Sequence, residues 1–369
     1  MALRLTSPGM PDPVFFQRKM NMRIRILPAV LALAVSAAVP AARAAGCDLD
    51  AIQSGKADSA VFSACEEKAK AGDRDAQHAL GNMYKNGIGV GKDSALAVRW
   101  WRKAAEQGDA ASQANLGQAY VDGKGIGQDD AEALRWYRKA AEQGFVPAEF
   151  ITGQMYEFGR GTAVDHTEAV KWWRKAAEHG FPEAQYNMGI ALGTGAGTEK
   201  DPEEAAEWFR KAADQGDATA ASALGNLYIS GEGVGKDSAA ALKWWLKAAE
   251  LGDRSAQYNL GQAYLQGAGT EKNPEEALRW YQKAAEQGHP AAAYNLGVMY
   301  SSGEGVGKDS TEALKWFSKA AEEGDADAQY ALGSIYTDGT GVPADKEAAS
   351  SWFDAACKNG NKKACGLKR

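Results

Sequence analysis

Small and aromatic residues recur along this chain with a period of 36 that never slips. One column is glycine: Gly81, Gly117, Gly153, Gly189, Gly225, Gly261, Gly297 and Gly333. A second is tryptophan: Trp100, Trp136, Trp172, Trp208, Trp244, Trp280, Trp316 and Trp352. The residue after each tryptophan is aromatic too: Trp101, Tyr137, Trp173, Phe209, Trp245, Tyr281, Phe317 and Phe353. Every tryptophan in the chain belongs to these two columns. Strict self-similarity predicts a repeat architecture, in which each unit buries its apolar face against its neighbours.

Within each unit the spacing predicts two helices. The first carries A-x-x-x-L-G-x-x-Y, as in Ala76, Leu80, Gly81 and Tyr84, and steps of three and four place these on one helical face. Leu192 replaces the tyrosine in the fourth unit. A glycine inside a helix costs about 1 kcal/mol relative to alanine. Paying that in all units implies that another helix crosses closely there. The first helix ends at G-x-G, for example Gly87 and Gly89. The second begins at a polar cap: Asp93, Asp129, Asp165, Asp201, Asp237, Asn273, Asp309 or Asp345. Pro202 with Glu204, and Pro274 with Glu276, complete the pattern of a capping box. Another glycine, from Gly108 to Gly360, stops the second helix.

The pattern A-x-x-x-L-G-x-x-Y-x-x-G-x-G-V, a polar cap, then E-A-x-x-W-[WYF]-x-K-A-A-E-x-G resembles the Sel-1-like repeat family. Residues 292–324, AAYNLGVMYSSGEGVGKDSTEALKWFSKAAEEG, show it almost whole. The resemblance implies an all-α fold, an α/α superhelical solenoid of helix–turn–helix repeats related to the tetratricopeptide repeat. It also implies an adaptor within assemblies, many of them at bacterial envelopes. It does not identify the partner.

The expected organisation has four parts. Residues 1–44 read as a secretory signal peptide with an over-extended start, Met20 or Met22 being the more natural first residue. Arg23 and Arg25 flank an apolar stretch from Ile26 to Val39, and Ala42-Arg43-Ala44 offers a cleavage site. That stretch is too short and alanine-rich for a good membrane span, so none is expected in the mature chain. Residues 45–72 read as a degenerate capping half-repeat, 73–360 as eight repeats, and 361–369 as the remnant of a cap. All four cysteines follow the signal, two at each end of the array. Their even number in an exported chain favours disulfides. Cys47 and Cys65 fall 36 residues before Met83 and Trp101, so a bond between them would tie the cap. Cys357 and Cys365 have a C-x₇-C spacing resembling the helix-to-helix disulfide of cysteine-rich family members; two free buried thiols are the alternative. The expected location is the periplasm or outside the cell. A lipid anchor on Cys47 ranks second, because Arg43 interrupts the apolar stretch such a site needs.

Charge and motifs narrow the function. A net charge of −6 argues against nucleic acid as a partner. The run Gly87–Lys92, repeated at Gly231–Lys236 and Gly303–Lys308, imitates a phosphate loop. Aspartate follows the lysine where Ser or Thr would be needed, and a helix precedes it where a strand is needed. His78, His166, His179 and His289 occupy different columns, so no metal site and no cofactor is expected. No S-x-x-K, S-D-N, K-T-G or G-x-S-x-G occurs, so no catalytic residue is assigned.

A concave groove formed by the first helices is the better candidate. Phe150, Tyr186, Tyr258, Tyr294 and Tyr330 form one column, with Asn115, Asn187, Asn259 and Asn295 beside it. Tyrosine offers area with a polar tip, and asparagine offers both a donor and an acceptor to a peptide backbone. The same residues could instead join adjacent first helices. Two function classes follow: a binding scaffold for a protein or peptide, without catalysis, or a periplasmic cell-wall enzyme or binder related to peptidoglycan or β-lactams. The acidic chain favours a neutral or basic partner, with affinity falling as salt rises.

Overall fold

The computed structural model describes Cys47 and residues 59–367. The segment read as a signal, residues 1–44, lies outside the described residues. The chain divides into two compact bodies, one ending at Asp201 and the other beginning at Pro202. The described part of the first contains α1 (Ser59–Lys70), α2 (Arg74–Asn86), α3 (Ser94–Glu106), α4 (Ala110–Asp122), α5 (Asp130–Glu142), α6 (Val146–Phe158), α7 (His166–Glu178) and α8 (Pro182–Thr194). The second contains α9 (Pro202–Asp214), α10 (Ala218–Ser230), α11 (Ser238–Glu250), α12 (Arg254–Gln266), α13 (Pro274–Glu286), α14 (Pro290–Ser302), α15 (Ser310–Glu322), α16 (Ala326–Asp338), α17 (Lys346–Lys358) and a 3₁₀ turn at Ala364–Gly366. Among the described residues there is no strand. In each body a first helix packs on the second helix of its repeat, and that second helix packs on the next first helix. Each is therefore an α/α repeat solenoid.

The column glycines admit a side chain, not a second backbone. The expected helix crossing is replaced by the aromatic that follows the column tryptophan in the same repeat. A Cβ at Gly225 would lie 2.5 Å from Cδ1 of Trp245, one at Gly117 2.9 Å from Cδ2 of Tyr137, and one at Gly297 2.6 Å from Cδ1 of Phe317. These rings are buried, and Trp173, Tyr137, Tyr281 and Phe317 are among the largest fully buried side chains. The column tryptophans are mostly buried as well, Trp136, Trp172, Trp208, Trp280 and Trp316 among them. Lys103, Lys139, Lys175 and Lys211 sit 4.1, 4.2, 4.1 and 3.9 Å from the rings of Trp100, Trp136, Trp172 and Trp208. Each of these lysines lies one helical turn after its tryptophan and covers the indole while its charge stays in water.

Turn chemistry fixes the register. Gly123 ends α4 in the left-handed region, with φ of 67°. Two residues on, Gly125 has φ of 77°, and a Cβ there would collide with the Ser94 carbonyl at the start of the preceding second helix. Asp93, Asp129, Asp165, Asp237, Asn273, Asp309 and Asp345 accept from first-turn N–H groups, as their position predicts. The capping box at Glu276 does not close. The Asn273 N–H donates instead to the Tyr264 carbonyl at 2.7 Å, and the Glu276 carboxylate pairs with Arg279. The same bond recurs from Asp93 to Tyr84 and from Asp309 to Tyr300, both at 2.9 Å. It pins each of these second helices to the end of the first.

Both ends carry the disulfides anticipated above, Cys47–Cys65 and Cys357–Cys365. With its sulfur in a disulfide, Cys47 has no thiol to carry a lipid, which removes that anchor. No helix among the described residues is long and apolar enough to cross a membrane.

Removing one internal ring tests the repeat logic. Trp173→Ala should cost about 3–5 kcal/mol, the usual range for deleting a core aromatic. Because contacts run only between neighbouring helices, hydrogen exchange should rise first in α6 and α7. Uniform loss of protection along the body would contradict this.

Candidate functional site

On α2 the buried positions are Ala76, Gln77, Ala79, Leu80, Gly81, Met83 and Tyr84. The remaining stripe, Asp75, His78, Asn82 and Lys85, steps by three and four and forms the open side of the helix. This first-helix face is where the groove was expected. Most of the residues assigned to it have little surface to offer. Phe150 and Tyr186 are 1% exposed, and Asn187 and Asn295 are 0%. Tyr258, Tyr294 and Asn115 are also buried, while Asn259 and Tyr330 are half-buried.

The cause is visible in their contacts. An aromatic three residues before the column glycine reaches over it onto the ring that the glycine admits. Tyr258 lies 5.7 Å from Tyr281, Tyr294 5.7 Å from Phe317, and Tyr330 5.6 Å from Phe353, centroid to centroid. On its other side the column meets the next repeat's first-helix cap. Tyr258 stacks on His289 at 4.5 Å, and Phe150 leans on Phe181 at 5.0 Å. Phe150 and Tyr258 thus join their repeats to the next one.

Asparagines add a polar fastener. Trp101 Nε1 donates to Asn82 Oδ1 at 3.1 Å, and Asn115 Nδ2 donates to the same oxygen at 3.4 Å. In the second body Trp245 Nε1 donates to Asn226 Oδ1 at 3.0 Å, and Asn259 Nδ2 joins it at 3.1 Å. Sequence reasoning placed the asparagines beside the tyrosines but missed this shared acceptor.

One cluster mimics a hydrolase. His78 Nδ1 lies 2.8 Å from Ser112 Oγ and 3.0 Å from Asp109 Oδ1. A serine relay needs the serine and the aspartate on different ring nitrogens. Here both share Nδ1, while Asn82 Nδ2 donates to Nε2 at 2.9 Å and Ser112 is fully buried. Asp109 also caps α4 through the Ser112 N–H. The three residues form an inter-repeat cap contact.

What remains open on the first-helix face differs between the bodies. The first has Lys85 and Glu157 at its outer positions. In the second, positions 222, 226 and 229 and their equivalents in the next three repeats carry no charged side chain. They hold Ser, Thr, Asn, Gln, Tyr and aliphatic residues, in a chain that is 24% charged. Ser222, Tyr258, Gln262, Leu265, Tyr294 and Val298 among them are buried, while Asn226, Ile229, Ser301, Tyr330, Ser334 and Thr337 keep surface. The equivalent of Asp75 in the last repeat is charged, Asp327. Among the described residues no cluster of His, Cys, Asp and Glu is placed to hold a metal ion.

A family model for the Sel1 repeat matches eight consecutive segments, 74–109, 110–145, 146–181, 182–217, 218–253, 254–289, 290–325 and 326–361. Two solved structures are similar over most of the chain. One is a protective antigen of uropathogenic Escherichia coli displaying an SLR fold, at 37% identity and TM-score 0.77, covering 82% of this chain. This chain spans 65% of the length of that protein. The other is a Sel1 repeat protein from Oxalobacter formigenes, at 34% identity and TM-score 0.70, covering 83% of this chain and 89% of its own. No match is found among curated proteins.

The Asp109 contact has a pH signature. Burial alone would raise its carboxyl; the hydrogen bond and charge of His78, with the Ser112 hydroxyl and N–H, outweigh burial and hold it at about 2. Against an unfolded value of about 3.9, this contributes about 2–3 kcal/mol, fully present above pH of about 4 and lost as pH falls through about 2. Asp109→Asn keeps the cap and removes the titration. Its acid-unfolding curve should be flatter than that of the parent over this window; superimposable slopes would refute the assignment.

Proposed function

The chain belongs to the Sel1 repeat family, and from that premise we propose that it is an exported scaffold that holds a protein or peptide segment against its first-helix face, without chemistry of its own. Sel1 repeat proteins mediate protein–protein interaction and are typically non-catalytic. Export is supported by the basic flank, apolar stretch and Ala42-Arg43-Ala44 site near the start. Two disulfides are compatible with an extracellular or periplasmic location. The similar Escherichia coli protein is a protective antigen, which fits a chain that leaves the cytoplasm.

The uncharged stripe of the second body carries the binding reading. Second helices bear charges in every repeat, as at Lys243, Arg279 and Lys315, whereas the first-helix positions 226, 229, 301, 330, 334 and 337, which keep surface, bear none. A surface kept free of charge but rich in hydroxyls and amides suits a neutral polar segment, since a buried charge without a partner is costly. Tyr330, Asn259, Asn226 and Ser334 retain surface there. The tyrosines deeper in the column, Tyr258 and Tyr294, set the spacing of these positions. Partner affinity is then expected to change little with salt, unlike the expectation drawn from net charge alone.

Site-specific photocrosslinking tests this. A photoreactive residue at Ser334 or Asn226 should trap one and the same envelope protein, and a probe at Lys243 on the opposite helix layer should not. Crosslinks formed only from Lys243 would place the interaction elsewhere and overturn the assignment of the first-helix face.

A further inference from the structure

We propose that Asn226 and Asn259 form a preset docking point for the backbone of one residue in an extended, uncharged peptide, a proposal that rests on the first-helix face being the binding surface. The argument starts at Trp245. An indole nitrogen only donates, so its 3.0 Å bond to Asn226 fixes which end of that amide is Oδ1. Asn259 donates its Nδ2 to the same oxygen at 3.1 Å, which fixes the second amide as well. Two groups are left over, Asn226 Nδ2 as a donor and Asn259 Oδ1 as an acceptor. Among the described residues neither has a protein partner, and neither is shut off from solvent.

The leftover pair sits on adjacent first helices, α10 and α12, tied through one oxygen. Its orientation is therefore settled before a ligand arrives, which lowers the cost of binding. An extended residue turns its own N–H and C=O to the same side of the strand. Its C=O would accept from Asn226 Nδ2, and its N–H would donate to Asn259 Oδ1. Both ligand groups, desolvated on binding, would thereby be paired.

The first body contains the closed version of this device. There Asn82 takes the bonds of Trp101 and Asn115 in the same way, but its Nδ2 is spent on His78 at 2.9 Å. The position equivalent to His78 is Ser222, too short to cover Asn226. One residue type in one column separates a consumed donor from an available one.

The surroundings choose the ligand class. The positions equivalent to His78, Asn82 and Lys85 that keep surface in this body, Asn226, Ile229, Ser301, Tyr330, Ser334 and Thr337, carry no charge, so a Lys or Glu on a ligand lying over them would lose hydration without gaining a partner. A neutral glycan would need an open aromatic face to stack on. The Trp245 ring bonded to Asn226 is 8% exposed, and Tyr258 and Tyr294 of the same face are 7% and 6% exposed and already packed on Tyr281 and Phe317.

The test uses the full chain on an array of end-blocked, uncharged nonapeptides built from Gly, Ser, Thr, Val and Gln. Peptides of equal length carrying Lys or Glu, and chitotetraose, are spotted beside them. The expected result is capture of a subset of uncharged peptides, equally at low and high salt. Asn226→Asp preserves the acceptor for Trp245 and Asn259 but replaces the outward donor with a second oxygen. It should leave the melting temperature unchanged and weaken capture by about tenfold or more. Ser222→His imports the side chain that closes the first-body device and should weaken capture likewise; it decides the matter if Asn226→Asp unfolds. Undiminished capture by the folded variants overturns the docking point. Capture of only charged peptides, or of only chitotetraose, also overturns it, the former leaving the scaffold reading intact. An array on which nothing is captured counts against both.

Discussion

The contact on which each repeat depends is that of an aromatic ring lying against the bare backbone of a helical glycine. Glycine is a poor choice for the middle of a helix, by about 1 kcal/mol relative to alanine. Within each body the chain accepts this because no Cβ fits under rings such as Trp245, Tyr137 or Phe317. Once the ring is seated, the rest follows in order. The Tyr264 carbonyl and its equivalents receive the N–H of the second-helix cap, which sets the turn. The aromatic three residues before the glycine leans on the same ring, as Tyr258 does on Tyr281, and brings the next repeat into register. An insertion of one residue would break all of these at once, which accounts for a period without slips.

Much of this was legible because it is periodic. Helix number and type, the cap residues and the stopping glycines follow from local spacing and known backbone preferences. The Cys47–Cys65 pair follows from the repeat columns those residues occupy, and the Cys357–Cys365 pair from the family resemblance. The inner column was harder to read. Tyr258 stands at a position that a single-helix projection turns toward the open side, yet it is buried. Part of its cover is His289 at the cap of the next repeat, whose distance and tilt no spacing within one repeat encodes. The His78, Asp109 and Ser112 contact was equally hidden, since it joins residues 34 apart that share no motif. The glycine column was located correctly but its partner was not: a ring presses on it rather than a second helix.

The polar fasteners show how repetition and function can share residues. A tryptophan and two asparagines hold neighbouring first helices in both bodies, so their presence alone says nothing of binding. The difference lies in what each network leaves unspent. In the first body a histidine consumes the remaining donor; in the second a serine does not. Variation that keeps the fastener and changes only the cover is inexpensive for the fold, which is how a repeat scaffold can acquire a site in one stretch without disturbing another.

A paired glycine substitution tests the central contact most directly. At Gly225 an added methyl would meet the Trp245 ring, whereas Gly235 has nothing within 4 Å of its Cβ position and no positive φ. Urea unfolding followed by circular dichroism should show Gly225→Ala losing about 1–3 kcal/mol, overpacking outweighing the helix-propensity gain. Gly235→Ala should be neutral or slightly stabilising, through a less flexible unfolded chain. Equal shifts for the two variants, or a higher midpoint for Gly225→Ala, would contradict the account.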